Sequence, residues 1–181
     1  GVHRIDKMTS GLLVSAKDDI THNSLSKQFK QKTTKRIYDL LTWNLLPKSS
    51  DKIETYIGRS KFNRQKMVVS NSLKGKKAIT NYNRIKSFFI SDNLKISYVK
   101  CQLLTGRTHQ IRVHMSHIGN PIIGDKKYSR NSNYHKLPDD LKKLISENFI
   151  KTERHALHAG FLGFYHPIKK TELTFESKLP N

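Results

Sequence analysis

The sequence predicts a mixed α+β fold, with a mostly antiparallel sheet core and a few flanking helices. Three observations support this fold class. Short stretches rich in β-branched and aromatic residues are separated by turn residues, as in antiparallel strands. Three other stretches repeat their apolar residues at helical spacing. The chain has 181 residues, of which 35% are hydrophobic, which suits one domain with a buried core and at most a small appendage.

The first part of the chain is expected to form a strand, a helix and a second strand. Residues 11–17 follow a turn and are rich in strand formers. Asp18 and Asp19 then occupy the position of a helix N-cap, and acidic residues there also suit the helix dipole. We therefore predict a helix over 19–31. Residues 36–43 (RIYDLLTW) predict the next strand.

The middle of the chain is expected to consist of strands joined by turns. Residues 47–51 are typical of a loop, and residues 52–90 predict short strands with a turn at Gly75. Residues 96–104 place Ser, Val, Cys and Leu at alternate positions. This period of two predicts a strand with one buried face.

The last part of the chain adds two helices and two closing strands. Apolar residues recur at spacings of three and four over 108–118 and again over 137–149, which predicts two amphipathic helices. Gly-Asn-Pro at 119–121 should end the first of them. Residues 157–165 and 172–177 predict the closing strands.

The charge of the chain indicates a polyanionic partner. There are 34 Lys+Arg against 14 Asp+Glu, a net charge of +20. Thirteen of these basic residues, with Asp92 as the only acid, lie within 55–124. Such a stretch repels itself unless a polyanion lies against it. A lysine-rich surface without a binding role stays an alternative, but no stretch resembles a basic membrane-surface helix. Nucleic acid is the preferred partner.

Cysteine content and apolar run length exclude several protein classes. The only cysteine, Cys101, permits neither an intramolecular disulfide nor a metal cluster of several cysteines. A reducing, cytoplasmic location is the simple interpretation. The longest apolar runs are far shorter than the about 20 residues that span a bilayer, so we predict no transmembrane segment and no membrane partner.

Three polar segments lie where a predicted strand meets a turn or a helix, a place where side chains are often presented to ligands. They are residues 3–11 (HRIDKMTSG), 36–38 (RIY) and 106–114 (GRTHQIRVH). Taken singly, each has an ordinary explanation. Asp6 would serve as a turn cap and Tyr38 as a half-buried strand aromatic. Arg107 and Arg112 would only bind phosphate.

Taken together, these segments resemble the motifs of the RluA/RluD-type pseudouridine synthases, a family that acts on ribosomal and transfer RNA. The similar stretches are, in order, 3–14 (HRIDKMTSGLLV), Tyr38, 106–115 (GRTHQIRVHM), 118–125 (IGNPIIGD) with Tyr128, 156–159 (ALHA) with 166–167 (HP), and 179–180 (LP). The match runs through nearly all 181 residues in the family's order. Its departures inside the motifs are conservative: Ile5 where leucine is usual, and Asn120 where histidine is common.

The resemblance implies a catalytic set and a reaction. Asp6 corresponds to the family's catalytic aspartate, which acts as nucleophile or as base on the target nucleotide. Arg112 corresponds to the arginine that pairs with this carboxylate and keeps it ionised. Tyr38 corresponds to the tyrosine that lies against the detached base, where it stacks or relays the C5 proton. The isomerisation needs no net redox change, so no cofactor and no metal are implied.

The resemblance also implies how RNA is held. Arg4 matches a family arginine implicated in flipping the target uridine out of its stack. We expect Arg107 and Thr108, at the head of the predicted helix, to bind phosphate. The predicted partner is structured RNA. Large-subunit ribosomal RNA is preferred because the segments 57–60, 64–67 and 75–80 are loosely more similar to the ribosomal members, and transfer RNA is the alternative. We expect the protein to be a monomer.

Family members begin further upstream than this chain, before the histidine-arginine-leucine-aspartate motif. Residues 1–181 are therefore interpreted as a pseudouridine synthase catalytic domain that lacks its first strands and any S4-like RNA-binding domain. Missing strands would leave one edge of the sheet unpaired.

Three other functions stay open. His109, His114 and His117, together with the ligand-like spacing of His155 and His158, suggest a metal site, although hydrogen-bonded structural histidines would suffice. A metal-dependent nuclease would use Asp6, Asp18 and Asp19, of which the last two are better explained as helix-start residues. A non-catalytic RNA-binding module would show the same charge pattern. Only measured turnover separates that module from an enzyme.

Overall fold

The computed structural model describes residues 10–11, 19–30, 34–129, 131–151, 155–166 and 170–176. Within these ranges the chain forms eight strands and three α-helices. The strands are β1 Ser10–Gly11, β2 Lys35–Trp43, β3 Ser50–Arg59, β4 Met67–Ser70, β5 Lys76–Ser91, β6 Leu94–Leu103, β7 Leu157–His166 and β8 Thr171–Glu176. The helices are α1 Asp19–Lys30, α2 Gln110–His117 and α3 Asp139–Ile145, with a 3-10 helix at Asn131–Lys136 and a π-helical turn at Ser146–Ile150.

All eight strands belong to one sheet. The strand order is β1-β7-β2-β6-β5-β3-β4, and β8 pairs with β7. Only β1 and β7 run parallel, and every other neighbouring pair is antiparallel. The predicted class, a mostly antiparallel α+β fold, is confirmed. None of the helices in the described ranges is long and apolar enough to cross a membrane.

The strand predictions differ from the structure mainly in the middle of the chain. The sequence predicts only short strands over 52–90, whereas in the structure one strand of this region, β5, has 16 residues. Irregularities at Arg84/Lys86 and Phe89/Ser91 let this long strand bend while it stays paired with β6. Strand β3 begins at Ser50, inside the expected loop. The turn at Gly75 is confirmed, since its amide donates to the Asn71 carbonyl at 2.9 Å.

The helix predictions are closer, and their differences have local causes. Helix α1 is confirmed over Asp19–Lys30, and residue 31 of the predicted 19–31 lies outside the described residues. Helix α2 starts at Gln110 rather than 108, because His109 has a left-handed backbone (φ 55°) that cannot continue a helix. Gly119 ends it with φ +84°. The helix expected over 137–149 is divided into α3 and a π-helical turn. Most of the strand predicted at 11–17 lies outside the described residues.

The main core covers the face of the sheet on which α2 packs. Tyr38 and Leu40 of β2 lie beside Cys101 and Val99 of β6 in the pairing register, so the four share one face. The core also receives apolar side chains from α2, from the segment after it and from α3; they are Ile111, Met115, Ile122, Ile123 and Ile145. This packing holds the start of α2 over the sheet, where the candidate site lies.

Candidate active site and RNA-binding cleft

An ion pair between Arg112 and Asp125 is the most buried charged pair in the described structure. Arg112 projects from α2, and its Nε donates to Asp125 Oδ2 at 2.9 Å while its Nη2 donates to Oδ1 at 3.0 Å. The two side chains are only 9% and 2% exposed. This bidentate geometry fixes both the position and the plane of the guanidinium group.

The loop after α2 is folded around the Asp125 carboxylate. Gly124, with φ +83°, makes the turn that precedes it. Oδ1 of Asp125 also accepts from the backbone amides of Lys127 at 3.1 Å and Tyr128 at 3.3 Å. The carboxylate is therefore held by its own loop, so Arg112 is oriented by a preformed acceptor.

Tyr128 supports the same guanidinium group through its ring. Cζ of Arg112 lies 4.9 Å from the centre of the Tyr128 ring, within cation-π distance. The Tyr128 hydroxyl accepts from the Met67 amide at 2.9 Å and lies 2.7 Å from Nδ1 of His109. Asp125 and Tyr128 were part of the quoted motifs, but sequence reasoning assigned them no role. Their positions inside the quoted motifs were the signal from which a role could have been inferred.

Tyr38 lies in the middle of the sheet and is 7% exposed. It is flanked by Cys101 of β6 and Ala159 of β7. The pairing with β7 is irregular between Ile37 and Tyr38, and such a bulge changes the direction of a side chain, often beside an active site. The prediction that Tyr38 lies in a strand is confirmed.

Arg36, two residues before Tyr38, is a buried arginine that sequence reasoning did not select. Its guanidinium lies 5.1 Å from the centre of the Phe29 ring, and within the described structure its Nε has no hydrogen-bond partner. Burial lowers the pKa of Arg36 from its usual value. A Cβ at Gly106 would stand 2.7 Å from Nη1 of Arg36, so a larger residue there would have to displace the guanidinium. The RIY and GRTHQ segments therefore meet here.

Asp6 and Arg4 lie outside the described residues, and the pairing of Asp6 with Arg112 stays a prediction. The end of their motif is described as β1. Gly11 pairs with Ala159, and Ala159 pairs with Tyr38. Ser10 lies opposite His158, and its Oγ is 2.8 Å from Nδ1 of that histidine. The first motif thus ends one strand away from Tyr38.

An open cleft of about 600 Å³ lies next to α2, between the start of the helix and the β3, β4 and β5 strands. Both predicted phosphate-binding residues, Arg107 and Thr108, line it. Other basic side chains line it as well; they are Arg59, Lys74 and Lys76. The contact with Lys61 is the main reason why the pKa of Lys74 is lowered. Crowded cations of this kind favour a bound anion.

The cleft differs in one respect from the phosphate site expected at a helix start. The amide of Arg107 donates to the Gln110 side-chain oxygen at 3.0 Å, so that amide is already used. Nε of Arg107 donates to the Lys77 carbonyl at 2.8 Å, which fixes the side chain along the cleft. The basic side chains around the cleft supply positive charge in place of that amide.

His114, one of the histidines considered as a metal ligand, is fully buried. Its Nε2 lies 2.8 Å from the Thr55 hydroxyl and its Nδ1 2.8 Å from the Thr80 hydroxyl. Burial lowers its pKa to about 4, so the ring is neutral near neutral pH. His114 therefore connects α2 to the sheet as a structural residue. In the described part of the chain, no group of three or more His, Cys, Asp or Glu is placed to hold a metal ion.

Comparison with known proteins identifies the family. The sequence profile of the RNA pseudouridylate synthase family matches residues 1–117. The chain is 42% identical over 179 residues to the uncharacterized RNA pseudouridine synthase YlyB of Bacillus subtilis. It is 39% identical over 179 residues to the ribosomal large subunit pseudouridine synthase D of Zymomonas mobilis. Each alignment covers 99% of this chain and 52% of the relative.

The fold comparison agrees with the sequence comparison. The solved structure of human RNA pseudouridylate synthase domain containing 1 superposes with a TM-score of 0.75 at 26% identity, over 97% of this chain and 68% of that one. The chain spans about half the length of the curated relatives named above. The resemblance found in the motifs is confirmed, and the chain belongs to the RNA pseudouridylate synthase family.

Proposed function

We propose that the protein converts specific uridines in structured RNA to pseudouridine. The observation that carries this proposal is the pairing register Gly11–Ala159–Tyr38, which aligns the end of the first motif with the tyrosine of the second. The buried, oriented Arg112 guanidinium supports it, because a reaction at a carboxylate needs a fixed positive charge nearby.

In the proposed reaction the bond between uracil N1 and the ribose C1′ breaks, the base turns over, and C5 bonds to C1′. The proton lost from C5 is balanced by one gained at N1. Asp6 is the proposed nucleophile or base. Asp125 engages the Nε and Nη2 edge of Arg112, and we place Asp6 at the other edge of the guanidinium. Tyr38 is the proposed partner of the detached base. No cofactor and no metal take part in this scheme.

The proposed substrate is large-subunit ribosomal RNA. A relative that is 39% identical to this chain carries the name ribosomal large subunit pseudouridine synthase D, which supports this choice over transfer RNA. We propose that Arg4 enters the space left by the flipped uridine. Arg107 and Thr108 would hold phosphates in the cleft they line. A monomer in the cytoplasm is what we expect for an enzyme of this kind.

The test measures tritium release from RNA labelled at uridine C5. The full chain is incubated with transcripts of large-subunit ribosomal RNA and of transfer RNA, with and without EDTA. We expect release from the ribosomal transcript in both conditions, no release with Asp6→Asn, and strongly reduced release with Tyr38→Phe. Equal release from wild type and Asp6→Asn would refute the assignment of Asp6. Tight RNA binding without release would favour the non-catalytic binding module.

A further inference from the structure

The loop between β3 and β4 presents an apolar ring to solvent in a strongly basic setting. Phe62 in this loop is fully exposed (101%), and Leu73 in the neighbouring β4–β5 turn is 92% exposed. Residues 59–77 contain seven basic residues and no acid; the seven are Arg59, Lys61, Arg64, Lys66, Lys74, Lys76 and Lys77. Exposure of a single apolar residue is ordinary, but an aromatic ring surrounded by cations and free of acidic neighbours in sequence combines the two features that single-stranded RNA sites use.

The loop holds Phe62 outward by a set of internal hydrogen bonds. The Ser60 hydroxyl accepts from the amides of Phe62 and Asn63, both at 3.2 Å. The Ser60 amide donates to the Lys66 carbonyl at 2.9 Å, which closes the loop. The Asn63 side chain accepts from the Gln65 amide at 3.0 Å. An ordered loop loses little entropy when it binds, so the ring is presented in advance.

The loop is joined to the candidate active site. Arg59, Met67 and Leu73, which lie at the loop ends and in the adjacent turn, line the same cleft as Arg107. The Met67 amide donates to the Tyr128 hydroxyl, and the ring of Tyr128 lies against Arg112. The ends of the loop that carries Phe62 therefore border the cleft.

We propose that Phe62 stacks on an unpaired RNA base while the surrounding lysines and arginines contact phosphates. The choice of RNA rests on the proposed function. Stacking on an aromatic ring beside cations is the usual way in which proteins hold single-stranded RNA. The absence of any acidic residue over 59–77 suits a continuous polyanion. An acidic protein surface is the other partner that fits this charge, and the experiment separates the two.

The experiment measures binding of the full chain to two probes. One is an oligouridine of about 12 nucleotides, within the range of known single-strand sites, and the other is a blunt RNA duplex of similar length. The variants are Phe62→Ala and Phe62→Trp. Phe89→Ala is the matched control, because Phe89 is also exposed (67%) and has a lysine over its ring, 5.7 Å from the centroid. It lies near the far end of β5 from the end that borders the cleft.

We expect Phe62→Ala to weaken oligouridine binding by roughly 5- to 100-fold, in line with the loss of one stacked base. Duplex binding should stay within about twofold, since phosphate contacts persist. Phe62→Trp should bind like wild type, and its added fluorescence should be quenched by oligouridine. Phe89→Ala should resemble wild type with both probes.

Unchanged oligouridine binding by Phe62→Ala would overturn the inference and leave the acidic protein surface as the partner. Equal losses with both probes, or with the Phe89 control, would also overturn it. Failure of the proposed function is a separate result. Wild-type protein that binds oligouridine through Phe62 but releases no tritium from labelled RNA would refute the isomerase and keep the RNA contact. Release of tritium together with unchanged oligouridine binding by Phe62→Ala would support the isomerase and refute the RNA contact at Phe62.

Discussion

Asp125→Asn tests whether the Arg112 guanidinium depends on one buried carboxylate. The substitution keeps the shape of the side chain and one oxygen acceptor for the loop amides, but it removes the negative charge. Breaking a buried pair typically costs about 3–5 kcal/mol because the remaining charge is stranded. Since Asp125 is 2% exposed and the amides of Lys127 and Tyr128 keep an acceptor, we expect a loss near the lower value, about 3 kcal/mol.

The assay is urea unfolding followed by fluorescence, with tritium release measured on the same samples. Asp39→Asn is the matched control. The Asp39 carboxylate is also buried (8% exposed), but it pairs at 2.9 Å with Lys100, whose side chain is 45% exposed. Solvent can hydrate the exposed Lys100, and the amide oxygen introduced by the substitution can still accept from the Tyr98 hydroxyl, which now donates to Oδ1 at 2.7 Å. The control should therefore lose only about 1 kcal/mol or less.

A double variant separates the ion pair from general damage. If Asp125→Asn weakens the fold by removing the partner on this edge of Arg112, then adding Arg112→Gln should cost less than the sum of the two single losses, because neither charge of this pair remains. We expect a coupling of about 1–3 kcal/mol in the cycle. Additive losses, or an Asp125→Asn loss no larger than that of Asp39→Asn, would refute the reasoning.

Three further predictions concern buried groups around the site. The pKa of His114 is lowered to about 4 by burial, so between about pH 4 and 6.5 the unfolded chain binds more protons than the folded one. The free energy of unfolding should therefore fall by up to about 3 kcal/mol as the pH drops through this range, and His114→Gln should reduce that slope in acid titrations of stability. Burial raises the pKa of Cys101, which is 0% exposed, so a thiol reagent should label it only after unfolding; fast labelling of folded protein would contradict this. Gly106→Ala would place Cβ 2.7 Å from Nη1 of Arg36, which should cost about 1–3 kcal/mol in urea unfolding; unchanged stability would show that the guanidinium moves aside freely.

Much of the fold could be predicted because the spacing of apolar residues along a segment reflects which of its faces is buried. The alternation over 96–104 predicted β6, and helical spacing predicted α1 and α2 to within two residues. The start of α2 was missed because His109 adopts a left-handed backbone that no periodicity signals. The length of β5 was missed because it depends on pairing with β6, not on the residues of β5 alone.

The candidate site, too, could be predicted only in part from the sequence. The motifs selected Tyr38, Arg107, Arg112 and Thr108, and the structure places Arg107 and Thr108 together in one cleft. The roles of Asp6 and Arg4 stay predictions. Sequence reasoning did not give Asp125 a role, because its contact with Arg112 spans 13 residues across a turn whose direction is set by the core.

By itself the sequence determined which segments become strands and helices, and which family they belong to, since both are written in local order and spacing. Only the tertiary structure decided that Asp125 clamps Arg112, that Gly11 and Tyr38 lie on either side of β7, and that Phe62 points away from the core. The physical reason is that the pairing of a charge, the neighbour of a strand and the exposure of a ring all depend on groups that are distant in the sequence. Packing alone brings those groups together.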